Sequence, residues 1–334
     1  MNKIKKTAQI VLLLTLVASI NVFAQKEEVT PAPEPVTREI ITTVINGRIR
    51  KGSNTKSEIV KELPLGTRLM AVSEANGWDE VYYGEPDSEG KRKTVWISKT
   101  ITTPYDSAKP GVQAQKIADK YFKMAKMDFA TAVQLYEFLP GAADRAKTYE
   151  VGGDLRLKSI KALNLALRAV PFDKSESNPY KAFLDKNKDM VVYSEPAGEW
   201  YVVSEKIWQL HERYRKHKVG EEIAWTAASN SLPGECEGYI NCYLYMLRIR
   251  EAEYLNFYPN GKHSLEALGN IKSMLEPIVA DAKEKTVYYT TNDISDRAEF
   301  NSTLVDLRKI VSKSPHVEKQ DVLKQIQLIA DGYR

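Results

Sequence analysis

Two cysteines, four histidines and a few glutamates are the side chains of this 334-residue chain best suited to covalent, metal or acid–base chemistry. Cys236 and Cys242 lie in Gly234-Glu-Cys-Glu-Gly-Tyr-Ile-Asn-Cys-Tyr243. A cysteine nucleophile needs a cationic or helix-N-terminal setting that lowers its pKa. Cys236 lies instead between Glu235 and Glu237, which raise it. His263 and His316 lie downstream as possible bases, yet neither has a strand-like context. The spacing suits a short disulfide, with a chain-entropy contribution of roughly 2–3 kcal/mol. No further ligands stand near enough for a zinc site, and no metal or cofactor is expected.

The remaining candidates separate in the same way. His211 and His217 are six positions apart, which places them on different faces of a helix and disfavours a shared metal. The basic run 213–218 suits a solvated helix end, where cations complement the dipole. Glu221 and Glu222 open the following helix for the matching reason. Glu235, Glu237 or Glu251 could be proposed as the acid of a lytic enzyme, and no motif singles one out. A Gly-rich phosphate loop and a zinc-hydrolase helix are both missing. Chemistry of the binding kind is better served. Trp78, Tyr82, Tyr83 and Trp96 bring four large aromatics into about 20 residues, and aromatics give contact area at low entropic cost.

Short β-like runs divided by Gly-containing turns must position those aromatics. Val44-Ile-Asn-Gly-Arg-Ile-Arg-Lys-Gly-Ser53 ends a strand in a turn. Pro64-Leu-Gly66 sets φ with proline and supplies the permissive position with glycine. Residues 67–73 are apolar on both faces, with Leu69 and Ala71 on one and Met70 and Val72 on the other. Asn76-Gly77 is a tight-hairpin signal, because the primed turn needs φ > 0. Trp78 then opens a strand in which Tyr82 and Tyr83 point to opposite faces. Residues 84–93 make a polar hairpin tip, and 94–98 close the set. Trp78 and Trp96 are expected to pack in the core or at its rim, and one of the two tyrosines to line an exposed groove.

Residues 43–102 resemble the bacterial SH3 domain of exported and cell-wall proteins. Arg50-Lys51-Gly52 matches its Arg-x-Gly element, Leu63-Pro-Leu-Gly-Thr67 its Leu-x-x-Gly-Thr turn, and Gly77-Trp-Asp-Glu-Val81 its Gly-Trp-x-x-Val strand. Val95-Trp96-Ile97 matches its last element in part. Ser53 replaces the usual proline, Val95 the usual glycine, and the charged hairpin 84–93 is longer than usual. The resemblance implies a small all-β barrel that contacts cell-wall peptide or an envelope protein.

Helical spacing takes over from about Gly111. Expected helices span residues 112–139, 154–170, 199–216, 239–257, 264–282, 294–311 and 321–330, with a short extended piece at 191–193. Pro171 stops the second of them. The spacing predicts a bundle or a helical-repeat array. Glu253-Tyr-Leu-Asn-Phe-Tyr-Pro-Asn-Gly-Lys-His-Ser-Leu-Glu-Ala267 is similar to the junction between paired helices of tetratricopeptide-like proteins. There Asn260-Gly261 would serve as a helix stop and Ser264 as an N-cap.

The N-terminus sets the compartment. Lys3, Lys5 and Lys6 precede an apolar run from Ile10 to Ile20, and Val22 and Ala24 offer a cleavage site before Gln25. A leader at 1–24 predicts a periplasmic or secreted protein without a membrane span after cleavage, and export favours the disulfide. Residues 25–39 carry three prolines and are expected to form an extended tether. The formal net charge of +4 includes the leader lysines, so the exported chain is nearly neutral and lacks the basic face nucleic acid requires. The expected organisation is therefore a leader (1–24), a linker (25–39), an SH3-like barrel (40–105) and an α-helical domain (110–334), with no oligomeric state specified. The expected function is that of an exported, non-enzymatic adaptor. The barrel would contact cell-wall peptide or an envelope protein, and the helices a second partner; the alternative is a cell-wall hydrolase with its catalytic unit in the helices.

Overall fold

The computed structural model describes residues 34–284, 289–290 and 294–333. The expected leader at 1–24 and most of the expected tether lie outside these residues. Residues 34–39, expected to continue the tether, open strand β1 (Glu34–Thr42) instead and pair with β4. The cause is non-local: the ladder offered by β4 outweighs the extended preference of the prolines.

The strands β2 (Gly47–Arg50), β3 (Ile59–Leu63), β4 (Arg68–Ala75), β5 (Trp78–Tyr83), β6 (Lys93–Ser98) and β7 (Thr102–Pro104) follow. With β1 they form one antiparallel sheet in the order β3-β2-β6-β5-β4-β1-β7. Among the described residues the pairing does not close on itself, so the sheet has β3 and β7 at its edges. Asn76 (φ 52°) and Gly77 (φ 79°) make the tight β4–β5 turn with both central residues at positive φ. β4 is not buried on both faces as its apolar run suggested: Ala71 is buried, whereas Met70 is 40% exposed.

Ile40 and Ile41 show how the sheet meets the helices. As consecutive residues of β1 they point to opposite faces, and both are buried. Ile40 joins Ile49, Ala71, Val81, Val95 and Ile97 in the core of the sheet. Ile41 joins Leu65 in a second core built from α1 (Pro110–Phe122), α2 (Phe129–Asp144) and α3 (Tyr149–Arg168). Polar contacts fasten the same seam. The Tyr121 hydroxyl accepts from Ile45 N and donates to Thr43 O, both at 3.1 Å, and Gln134 accepts from Leu65 N at 3.1 Å.

Beyond α3 come α4 (Tyr180–Lys186), a hairpin of β8 (Val191–Ser194) and β9 (Glu199–Val202), α5 (Ser204–Tyr214) and α6 (Lys218–Ala228). Then follow α7 (Ile240–Ile249), α8 (Glu251–Phe257), α9 (Ser264–Glu284), α10 (Ile294–Ser312) and α11 (Lys319–Gly332). The cores are linked in series. α3 gives Leu155 and Ala162 to one core but Leu157 and Leu163 to the next. α6 gives Ile223 and Ala227 backward but Ala224 and Ala228 forward.

Three expected helices are corrected. The stretch 112–139 breaks into α1 and α2, because the Asp128 side chain accepts from Thr131 N at 2.8 Å and caps a new start. Residues 199–202, expected in a helix, are strand β9, whose return from β8 is eased by Gly198 at φ 65°. The stretch 239–257 breaks at Arg250, which leaves helical geometry at φ −112°, ψ −102°.

At the α8–α9 junction, Gly261 serves close packing rather than a left-handed stop. An added Cβ would lie 2.4 Å from Glu221 Oε1 and 2.5 Å from Tyr254 Oη. That Glu221 carboxylate, from α6, accepts from the Tyr254 hydroxyl at 2.8 Å and from Lys262 N. Ser264 is the first residue of α9, and its hydroxyl bonds Gly261 O and His316 Nε2, both at 2.7 Å.

Candidate binding face

The register of β5 against β6 sorts the four aromatics. Trp78 stands opposite Ser98, Glu80 opposite Trp96 and Tyr82 opposite Thr94, and cross-strand partners share a face. Asp79, Val81 and Tyr83 alternate onto the other side, opposite Ile97, Val95 and Lys93. Tyr83 packs against the core of the sheet. Tyr82 is 38% exposed, and the Arg92 guanidinium of the hairpin tip stands 5.6 Å from its ring centre. Trp96 is half-buried on the same face as Tyr82 and diagonal to it. Trp78 shares that face by register but is buried. Strand register thus places Tyr82, Trp96 and the buried Trp78 on one face and Tyr83 on the other.

Polar groups complete the face. β2 places Arg50 opposite Trp96, and β4 places Ser73 opposite Glu80, so Arg50, Trp96, Glu80 and Ser73 form a row across four strands. The Glu80 carboxylate accepts from Thr94 Oγ1 at 2.6 Å and from Ser73 Oγ. The Arg50 guanidinium donates to Ser57 O at 2.6 Å. These bonds hold a carboxylate and a cation on either side of the indole, an arrangement chemically complementary to an apolar group flanked by hydrogen-bonding atoms.

Behind the face lies an ion cluster with no local sequence signal. Asp79 is 1% exposed and meets Arg38 at 2.5 Å, and Glu74 binds Arg38 at 2.9 Å and Lys99 at 2.7 Å. Burial pushes the Asp79 carboxyl up despite Arg38 and Lys99. Hydrogen bonds from Lys99 and then Arg38 hold Glu74 below the usual carboxylate range. Two bases against two acids make this a structural network that fixes the end of β5.

The other candidates resolve individually. Cys236 and Cys242 are joined in a disulfide just ahead of and within α7. Glu235 and Glu237 are exposed. Glu251 is 3% exposed, and burial raises its pKa against the opposing Arg250, whose guanidinium stands 3.3 Å away. His211 is fully buried with its Nε2 3.0 Å from the Tyr258 hydroxyl, whereas His217 stacks on Tyr149 at 4.7 Å. No group of three metal-binding side chains occurs among the described residues, and no helix among them is long and apolar enough to cross a membrane. No family model, curated protein or solved structure matches the chain.

Proposed function

We propose that the protein is an exported, non-enzymatic adaptor whose N-terminal sheet, of bacterial SH3-like character, binds cell-wall peptide through the Tyr82–Trp96 face. The observation that carries this reading is the placement of those two aromatics on one face, flanked by Arg50 and Glu80, while the opposite side of the sheet is committed to its own core. Export is supported by the leader pattern at 1–24 and by the Cys236–Cys242 disulfide. The helical region, joined to the sheet through Ile41 and Leu65, would hold a second partner. A hydrolase would need a carboxylate open to substrate, and Glu251, whose pKa burial raises, is enclosed.

Co-sedimentation of the mature chain with purified sacculi tests the reading. The wild type should pellet without releasing muropeptides, and Tyr82→Ala combined with Trp96→Ala should remain in the supernatant. Wild-type protein that stays in solution removes cell-wall peptide as the ligand. Release of muropeptides would turn the assignment to the hydrolase.

A further inference from the structure

A recess of about 360 Å³ opens between α2, α3 and α5, and each helix lines it with one face. Lys206, Gln209, Leu210 and Arg213 are spaced i, i+3, i+4 and i+7 on α5; Arg156, Ser159 and Ile160 are spaced i, i+3 and i+4 on α3. α2 contributes Tyr136 and Pro140. Pro140 lacks the N–H that would bond the carbonyl of Tyr136 one turn back. Ser159 Oγ, from α3, donates to that carbonyl at 3.3 Å instead. The proline is therefore accommodated by a cross-helix bond at the floor of the recess, where Ile160, Leu210 and Met190 are apolar.

The rim is cationic. Arg156 is oriented by an ion pair with Asp144, while the side chains of Lys206 and Arg213 have no ion-pair or hydrogen-bond partner among the described residues. A second recess of about 300 Å³ continues past Arg156 and Arg213 and adds Lys147. Four cations and a single carboxylate, Asp144, thus line two adjoining open recesses with an apolar floor. The volume is that of a ligand site, and two unpaired cations over apolar surface are complementary to carboxylates that flank an apolar group. Two recesses in a row suit an extended chain rather than a single ion.

We propose that this groove is the partner site of the helical region and that it binds an acidic peptide segment, with carboxylates on Arg213 and Lys206 and an apolar side chain on Ile160, Leu210 and Met190. The inference takes from the adaptor reading only that the helices have a partner of their own. Sacculus binding reads Tyr82 and Trp96, and the titration below reads Lys206 and Arg213, so either can fail alone.

The test titrates the mature full-length chain with acetyl-Glu-Leu-Glu-amide by calorimetry. The acidic peptide should bind at least about tenfold more tightly than its Gln-Leu-Gln counterpart, the scale of a charge-assisted hydrogen bond. Lys206→Gln with Arg213→Gln should lose about tenfold. Lys216→Gln, outside the recess near the same helix end, should lose nothing. Both changes are at or near the surface, and an unchanged melting temperature confirms that the fold is kept. Inorganic phosphate should compete only at far higher concentration. Equal binding of acidic and neutral peptides, no binding of either, an equal loss in Lys216→Gln, or displacement by phosphate at matching concentration would each overturn the proposal.

Discussion

Gly66 packs against the ring of Phe138: at φ 78°, its missing Cβ would fall 2.1 Å from Cδ2 and 2.2 Å from Cε2 of that ring. The turn that ends with this glycine, Pro64-Leu-Gly, also buries Leu65 among α1 and α2. A loop that would be a free barrel rim in an isolated module is therefore the place where the sheet is clamped to the helices. Gly66→Ala should cost about 2–4 kcal/mol, strain at positive φ plus overpacking, read from urea unfolding. Gly77→Ala has the same sign of φ with open space around it and should cost about 1 kcal/mol. Equal losses for the two would remove the clamp.

The Asp79 pair offers a second measurement. Truncating Arg38 leaves a 1%-exposed carboxylate with only Lys99 at 3.9 Å. Arg38→Ala should destabilise by about 2 kcal/mol, less than a fully buried pair because Arg38 itself is 32% exposed. Asp79→Asn in the Arg38→Ala background should recover part of the loss, and no recovery would mean that the charge of Asp79 is not the source.

His211 makes stability depend on pH. Burial holds its pKa below the ordinary 6.5. The unfolded chain then binds the proton more readily, so the contribution is fully present above pH 6.5 and is lost as pH falls toward the folded value. The urea midpoint should drop between about pH 7 and pH 5, a window set by the ordinary His value. His211→Phe should flatten that part of the profile, and an unchanged slope would place the effect elsewhere.

Reducing the Cys236–Cys242 bond should lower stability by about 2 kcal/mol for so short a loop, measured as unfolding with and without reductant. The effect should be absent in Cys236→Ser/Cys242→Ser. A reductant effect that persists in that variant would have another origin.

Much of the architecture was legible because its causes are local. The Asn76-Gly77 turn, the strand after it and the pairing of two cysteines six positions apart depend on a few neighbouring residues. The amphipathic stretch of α3 was visible for the same reason, though its start at Thr148, whose hydroxyl accepts from Val151 N, lay outside the expected range. The Asp128 cap is equally local, but the apolar spacing on both sides of it is continuous in the helical period and masks it.

Other features depended on residues distant in the chain. β1 is a strand because β4 and β7 pair with it, and Ile40 and Ile41 belong to separate cores because α1 and α2 cover one side of the sheet. The basic run 213–218 in the sequence says only that a helix end is basic. It takes the packing of α5 on α3 to bring Arg213 beside Arg156 over an apolar floor. Composition and period-two or helical spacing determined the export pattern, a β region followed by a helical one, and the disulfide. Which aromatics share a face and which cations share a groove was decided by strand register and helix packing, since those are set by contacts between segments and not by any one segment alone.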